Sequence, residues 1–149
     1  MHVDNQIARE VILPTAPSRV WRALTKPEQL GQWLAPVIRI EPVTDGEFFC
    51  AWPNHGKESE GRIVNVQSGV RLEFTWRHTQ PDTPTTVVFS LSRHMRGTLL
   101  SVREAGFDSL AATDRDRAIA EGELTWDEAL CELRRYLQED REDAHETER

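Results

Sequence analysis

DRDRAIAEGELTWDEALCELRRYLQE, residues 114–139, is the longest stretch of the chain in which apolar side chains recur at helical spacing. The spacing of three and four positions places these side chains on one face of an α-helix. They are Ile119, Trp126, Ala129, Leu130, Leu133 and Leu137. Charged residues cover the opposite face, so the pattern predicts an amphipathic helix. At about 1.5 Å per residue such a helix reaches about 39 Å, enough to cross a sheet of six or seven strands.

Before this helix, between residues 37 and 105, apolar residues recur at every second position, which is typical of β-strands. Six strands are expected there, with turns at Asp45-Gly46, Ser68-Gly69 and Arg96-Gly97. A first strand and two short helices, beginning at Pro17 and Pro27, come before them. Consecutive strands with short connections predict an antiparallel meander whose apolar face needs the amphipathic helix as a cover. The sequence therefore predicts an α+β fold in the order β-α-α-β-β-β-β-β-β-α.

Length and charge limit the protein classes that fit. A chain of 149 residues fits one domain, which we assign to residues 1–140, followed by an acidic, flexible tail at 141–149. The net charge is −7, and the segment from Glu139 onwards, with six acids and two arginines, holds −4 of it. An acidic chain without a basic stripe is unsuited to nucleic acid. The sequence contains no apolar run of about 20 residues and no signal-peptide core, which predicts no membrane insertion and a cytoplasmic location.

No motif for metal or cofactor chemistry stands out. The five histidines show no ligand spacing, and the glycines form no phosphate-binding loop before a helix. We therefore expect no metal and no cofactor, and assign no catalytic set, although a triad assembled only in space stays open. Cys50 and Cys131 are expected to be small buried residues rather than a disulfide.

Gly122 is the least expected residue of the long helix. It lies three residues after Ile119 and four before Trp126, on the apolar face, where a glycine costs about 1 kcal/mol relative to alanine. One interpretation is a helix break, because Thr125 to Glu128 matches a capping box. The other is a continuous helix in which the missing side chain leaves a void above the sheet. The apolar register continues in phase across Gly122, which favours the continuous helix and a cavity.

Glu104 and His78 are candidate polar groups in that cavity. Both continue the apolar alternation of their strands, so their side chains are expected to point inward. A buried ionisable group is costly unless it is paired or hydrated. They either lie at strand ends that water reaches, or they orient a ligand or act as acid or base.

A set of large side chains is expected to line the cavity, with plain core packing as the simpler alternative. The predicted ligand-binding residues are Phe48, Trp52, Phe74, Trp76, Phe89, Leu91, Leu100, Gly122, Trp126 and Leu130. Leu124 falls on the outer side of the helix.

Four segments in order resemble one known superfamily. They are REVILPTAPSRVWRALTKPEQLGQW at 9–33, GRIVNV at 61–66, RLEFTW at 71–76 and GTLLSVREAGF at 97–107. Their order and spacing are similar to those of the SRPBCC, or START-like, superfamily and within it of the activators of the heat-shock-protein-90 ATPase. The resemblance implies a helix-grip fold: a curved antiparallel sheet around a long C-terminal helix, with a cavity between them.

The resemblance also sets the functional alternatives. Related proteins bind lipids, hormones or polyketides, and some are cyclases, so we expect a small, largely apolar ligand in the cavity. One alternative is a cyclase- or hydrolase-like enzyme that uses Glu104 or His78 as acid or base; similar sequences often show Glu or His at the position of Glu104. A third is a chaperone-cofactor or protein-interaction module, expected to have a filled core and an exposed apolar patch. A homodimer formed through the sheet edges also stays open.

Overall fold

In the part of the chain that the structure describes, three helices and seven strands follow one another in the order that the sequence predicts. The structure, a computed structural model, describes residues 5–79 and 82–147, with the side chains of 5–77 and 84–139. The strands are β1 Gln6–Leu13, β2 Val37–Ile40, β3 Glu47–Trp52, β4 Lys57–Gln67, β5 Arg71–Thr79, β6 Asp82–His94 and β7 Gly97–Ala105. The helices are α1 Pro17–Thr25, α2 Pro27–Leu30 and α3 Ala112–Thr147, and single 3₁₀ turns lie at Pro53–His55 and Phe107–Ser109.

All seven strands form one antiparallel sheet in the order β1-β7-β6-β5-β4-β3-β2. Strands β2 to β7 are the predicted meander. The first strand pairs with the last, from Gln6 opposite Ala105 to Leu13 opposite Thr98. Helices α1 and α2 connect β1, at one edge of the sheet, to β2, at the other.

The sheet curves around its apolar face at β4 and β5. The pairing register shifts between Ile63 and Asn65, which is a β-bulge and bends the strand. At Gly61 the neighbouring strand approaches so closely that a Cβ atom would collide with the carbonyl oxygen of Thr75. A glycine is therefore required there. The curved sheet and the long helix together are the helix-grip arrangement, which confirms the fold expected from the sequence.

Helix α3 is continuous through Gly122 and extends beyond both ends of the predicted segment. The capping-box interpretation at Thr125 is therefore wrong. The Thr125 hydroxyl donates to the carbonyl of Glu121 instead, as in an ordinary helix interior. Leu124 is exposed, as predicted. The division of the chain at residue 140 stays a prediction.

The core lies between the apolar face of the sheet, helix α3 and the short helices. Its largest fully buried side chains include Trp126, Phe48, Phe74, Phe89 and Phe107. Both cysteines are free, but only Cys50 is buried, and burial raises the pKa of its thiol. The expectation that Cys131 is buried is wrong, because its position falls just beside the apolar stripe of α3.

Candidate functional site: a buried carboxylate beneath the C-terminal helix

Glu104 carries an ionisable side chain on the inner face of the sheet, where most of the other side chains are apolar. Along β7 the buried positions are Thr98, Leu100, Val102 and Glu104, so strict alternation brings the carboxylate inward. Its exposed fraction is 2%. The interpretation that water reaches Glu104 at a strand end is therefore wrong, because helix α3 covers this end of the strand.

Among the side chains that the structure describes, three donate hydrogen bonds to the Glu104 carboxylate. The indole Nε1 of Trp126 donates to Oε1 over 2.9 Å. The indole Nε1 of Trp76 and the hydroxyl of Thr85 donate to Oε2 over 3.0 and 2.5 Å. Hydrogen bonds to a charged acceptor are stronger than neutral ones, at about 1.5–3 kcal/mol each. Together they offset the cost of burying the carboxylate, which would otherwise be several kcal/mol.

Sheet register and helix phase bring these donors together. Trp76 on β5 lies opposite Thr85 on β6, and Glu104 on β7 lies opposite Val87, two residues after Thr85. Trp126 approaches from α3, on the same face as Gly122 one turn earlier. The carboxylate thus joins three strands to the helix that covers them.

Aromatic rings pack around this polar centre in direct contact. Phe48 and Phe74 stack with ring centroids 4.0 Å apart, and Trp76 and Trp126 stack at 5.9 Å. Phe89 meets Phe74 and Trp126 edge-on at 5.5 and 5.8 Å. Five of the six aromatic rings of the predicted ligand site form one cluster, which we call the aromatic cluster: Phe48, Phe74, Trp76, Phe89 and Trp126.

The space beneath Gly122 is filled. A Cβ atom on Gly122 would lie 2.5 Å from Cδ1 of Ile7 and 3.9 Å from Oε1 of Glu104. Ile7, on β1, is fully buried and lies opposite Glu104 in the sheet. The expectation of a void at Gly122 is therefore wrong, because the glycine admits a side chain from the edge strand instead.

The other predicted ligand residues take different places. Trp52 is half-buried, and its indole N–H donates to the carbonyl of Leu34 over 3.1 Å. Leu91, Leu100 and Leu130 are buried in the core. The side chain of His78 lies outside those that the structure describes.

Two residues of the site were not predicted from the sequence. Ile7 is an ordinary apolar residue of a strand whose partner was not identified, and Thr85 follows a polar loop with two prolines. Continuing the alternation back from Phe89 and Val87 would have placed Thr85 on the inner face.

Helix α3 is also tied to β1 at the surface, beside the filled space. Arg9 donates from Nε to Asp127 over 2.7 Å and from a terminal nitrogen to Glu123 over 3.1 Å. We call these contacts the Arg9 clasp. The bond to Asp127 is the main reason that the pKa of Arg9 rises, and burial of the guanidinium partly opposes it.

A groove of about 650 Å³ lies where the outer face of β4 and β5 meets the turn before β3. Charged residues dominate its lining, among them Glu41, Asp45, Glu60, Arg62 and Arg77. Its polar walls do not fit the largely apolar ligand expected from the sequence. Within the described residues, no three His, Cys, Asp or Glu side chains are grouped as metal ligands, and no helix has the length and apolar character to span a membrane.

Known structures share this fold. Protein MLL2253 from Mesorhizobium loti has a TM-score of 0.80 at 24% identity, over 90% of this chain and 97% of its own. DynU16, from the dynemicin biosynthetic locus, has a TM-score of 0.79 at 21% identity, over 91% of this chain and 48% of its own. The Aha1 dimer from Colwellia psychrerythraea has a TM-score of 0.73 at 17% identity, over 89% and 95%.

At sequence identities of 17–24%, these structural similarities show only that the fold is shared. Comparison of the sequence itself is more specific. No curated protein matches the chain. The family model for "Activator of Hsp90 ATPase homolog 1-like protein" matches residues 14–138, which include both the sheet and the apolar stripe of α3. The chain therefore belongs to the Activator of Hsp90 ATPase homolog 1-like family.

Proposed function

We propose that the protein binds a small, largely apolar molecule that carries one hydrogen-bond donor, between the sheet and α3 at Glu104. The observation that carries this proposal is the buried carboxylate itself. Replacing a buried charge network by apolar residues of similar volume is often neutral or stabilising. A carboxylate kept at the centre of an aromatic cluster is therefore better explained by recognition than by stability.

The chemistry of the site defines the ligand. A ligand N–H or O–H would replace one of the present donors, Trp76, Thr85 or Trp126, on a carboxylate oxygen. The apolar body of the ligand would pack against the aromatic cluster and the neighbouring leucines 91, 100 and 130. Since the rings are in contact, binding requires that side chains move aside. The ligand gains a charge-assisted hydrogen bond away from water, where such bonds are strong.

The first experiment is a titration with N-phenyl-1-naphthylamine, an apolar fluorescent probe with one N–H donor. We expect saturable binding to the wild type, and a loss of about tenfold or more in affinity for Glu104→Gln, because one hydrogen bond to a charged acceptor is lost. Glu121→Gln, on the exposed side of α3, is the matched control and should bind like the wild type. Near-UV circular dichroism checks that both variants are folded.

Two outcomes would contradict the proposal. One is a wild type that does not bind the probe and from which native mass spectrometry releases no small molecule. The other is equal affinity in wild type and Glu104→Gln.

An interaction module is the second candidate function, and the contact-filled aromatic cluster favours it. Such a module needs no cavity, and the family name refers to a chaperone activator. The exposed large apolar residues, however, are spread over several elements: Val37, Val43, Val64, Val70, Met95 and Leu124. An acid or base role of Glu104 or His78 stays a prediction, and unchanged turnover of a discovered substrate by Glu104→Gln would contradict it for Glu104.

The remaining proposals concern assembly and location. The dimer known for the Colwellia protein supports a homodimer of this chain, formed through the free edges of β1 or β2. Analytical ultracentrifugation distinguishes monomer from dimer. A cytoplasmic location likewise stays a proposal.

A further inference from the structure

Gly122 is a position of α3 that lies close to the buried carboxylate and is still partly open to solvent. The glycine itself is half-buried, so solvent reaches part of it. The position of a Cβ atom on Gly122 lies only 3.9 Å from Oε1 of Glu104. Among the described residues, the side-chain atoms found within 4 Å of that Cβ position belong to Ile7 and Glu104, so a glycine of the helix is all that lies between Glu104 and the seam between β1 and α3.

Ile7 closes that seam from the side of the sheet. Its Cδ1 atom approaches within 2.5 Å of the same Cβ position, and the side chain is fully buried. Ile7 lies opposite Glu104 on β1, an edge strand with one strand neighbour. A terminal methyl group on an edge strand can rotate away with less disturbance than a ring inside the aromatic cluster.

We infer that the Ile7 side chain is a displaceable plug, and that the ligand reaches Glu104 through the seam between β1 and α3 at Gly122. The inference rests on the proposed function and adds the route and the residue that controls it. Ile7 acts by blocking the route. Its Cδ1 occupies the space that the ligand needs, and rotation of that methyl group opens the space. The Arg9 clasp lies beside the seam and holds β1 and α3 together while the plug moves.

The Ile7 side chain lowers the affinity for the ligand as long as it fills the space beneath Gly122. When only a fraction of molecules is open, the apparent dissociation constant rises in inverse proportion to that fraction. Ile7→Val removes the Cδ1 atom and little else. We expect this variant to bind N-phenyl-1-naphthylamine about fourfold more tightly, the equivalent of one buried methylene group, and with a higher association rate.

The matched control is Ile63→Val, the same change at a buried position on β4. It should stay within about twofold of the wild type, because β4 lies four strands away from β1 in the sheet. Adding Gly122→Ala to Ile7→Val puts a methyl group back into the seam, and we expect it to reverse the gain. Stopped-flow fluorescence gives the rates, and urea unfolding confirms that each variant is folded.

The outcomes separate the inference from the proposed function. Tighter, faster binding by Ile7→Val alone, reversed by Gly122→Ala, supports the plug. Equal changes in Ile7→Val and Ile63→Val would mean general loosening and would overturn it. Wild-type affinity in Ile7→Val, with weaker binding in Glu104→Gln, would overturn the plug and leave the proposed function standing. Absence of probe binding in the wild type and in every variant would overturn both.

Discussion

At the scale of single residues, Gly122 and Ile7 form a complementary pair across the helix–sheet interface. The missing side chain of Gly122 leaves no cavity, because Ile7 fills the space. Alanine at position 122 would favour the helix by about 1 kcal/mol. It would also crowd Cδ1 of Ile7, and overpacking of a core costs about 1–3 kcal/mol. The two effects oppose each other. The size of the side chain at position 7 therefore decides whether alanine at position 122 raises or lowers the free energy of unfolding.

We therefore predict that Gly122→Ala destabilises the wild type, by up to about 2 kcal/mol, and stabilises the Ile7→Val protein. Urea unfolding of the four proteins of this double-mutant cycle measures the coupling. Additive effects, with the same change in both backgrounds, would show that the two side chains do not interact.

The same pair shows what the sequence can predict at this scale. The periodicity of α3 places Gly122 on the buried face correctly, because helical phase is a local property. The side chain that meets it comes from β1, and periodicity carries no information on which strands pair. Glu104 could be placed inward by alternation, but its three donors come from two other strands and a helix. These donors converge only because of the way the strands pair and the register in which they do so, which the sequence pattern does not contain.

At the scale of elements, α3 is held against the sheet by the buried carboxylate from below and by the Arg9 clasp at the edge. The clasp is partly exposed, with side-chain exposures of 31% for Arg9, 39% for Glu123 and 54% for Asp127. Solvent screens such pairs, and their contribution to stability is about 0–1 kcal/mol. The clasp therefore fixes the position of the helix more than it stabilises it.

We predict that Arg9→Gln lowers the free energy of unfolding by less than about 1 kcal/mol, and that 1 M NaCl removes most of the difference. The hydrogen bond to Asp127 raises the pKa of Arg9 above its ordinary value. The stabilisation due to its charge is thus fully present below that value and is lost only at higher pH. The difference between the two proteins should stay constant from pH 7 to 9; a marked change in that window would assign the effect to another group.

At the scale of the whole molecule, the fold was predicted almost completely, because one apolar sheet face and one amphipathic helix of matching length allow few arrangements. The element bounds were less certain. The alternation before the Asp45-Gly46 turn predicts a strand over Val37 to Val43, and the apolar spacing after Pro27 predicts a helix that includes Trp33. The structure ends β2 at Ile40 and α2 at Leu30. Beyond these ends the chain continues in hydrogen-bonded turns: Leu34 N–H donates to the carbonyl of Leu30, and Gly46 N–H donates to that of Val43.

Among the side chains that the structure describes, Leu137 is the last buried apolar residue of α3, with an exposed fraction of 1%. We predict that removal of residues 141–149 changes the free energy of unfolding by less than about 0.5 kcal/mol. Truncation after Tyr136 deletes Leu137 and should cost at least about 2 kcal/mol. Thermal unfolding of both truncated proteins tests this. A large loss on removing only 141–149 would place the domain boundary further along the chain.

The pairing of β1 with β7 also has a consequence for synthesis. Gln6 finds its partner at Ala105, and Trp126 completes the contacts of Glu104 later still. Contacts between distant parts of a chain form slowly, and a growing chain at about 5–20 residues per second leaves β1 without its partner for many seconds. Until α3 leaves the ribosome, the apolar face of the meander and the Glu104 carboxylate are both uncovered. The nascent protein is therefore most vulnerable to aggregation just before its last helix appears.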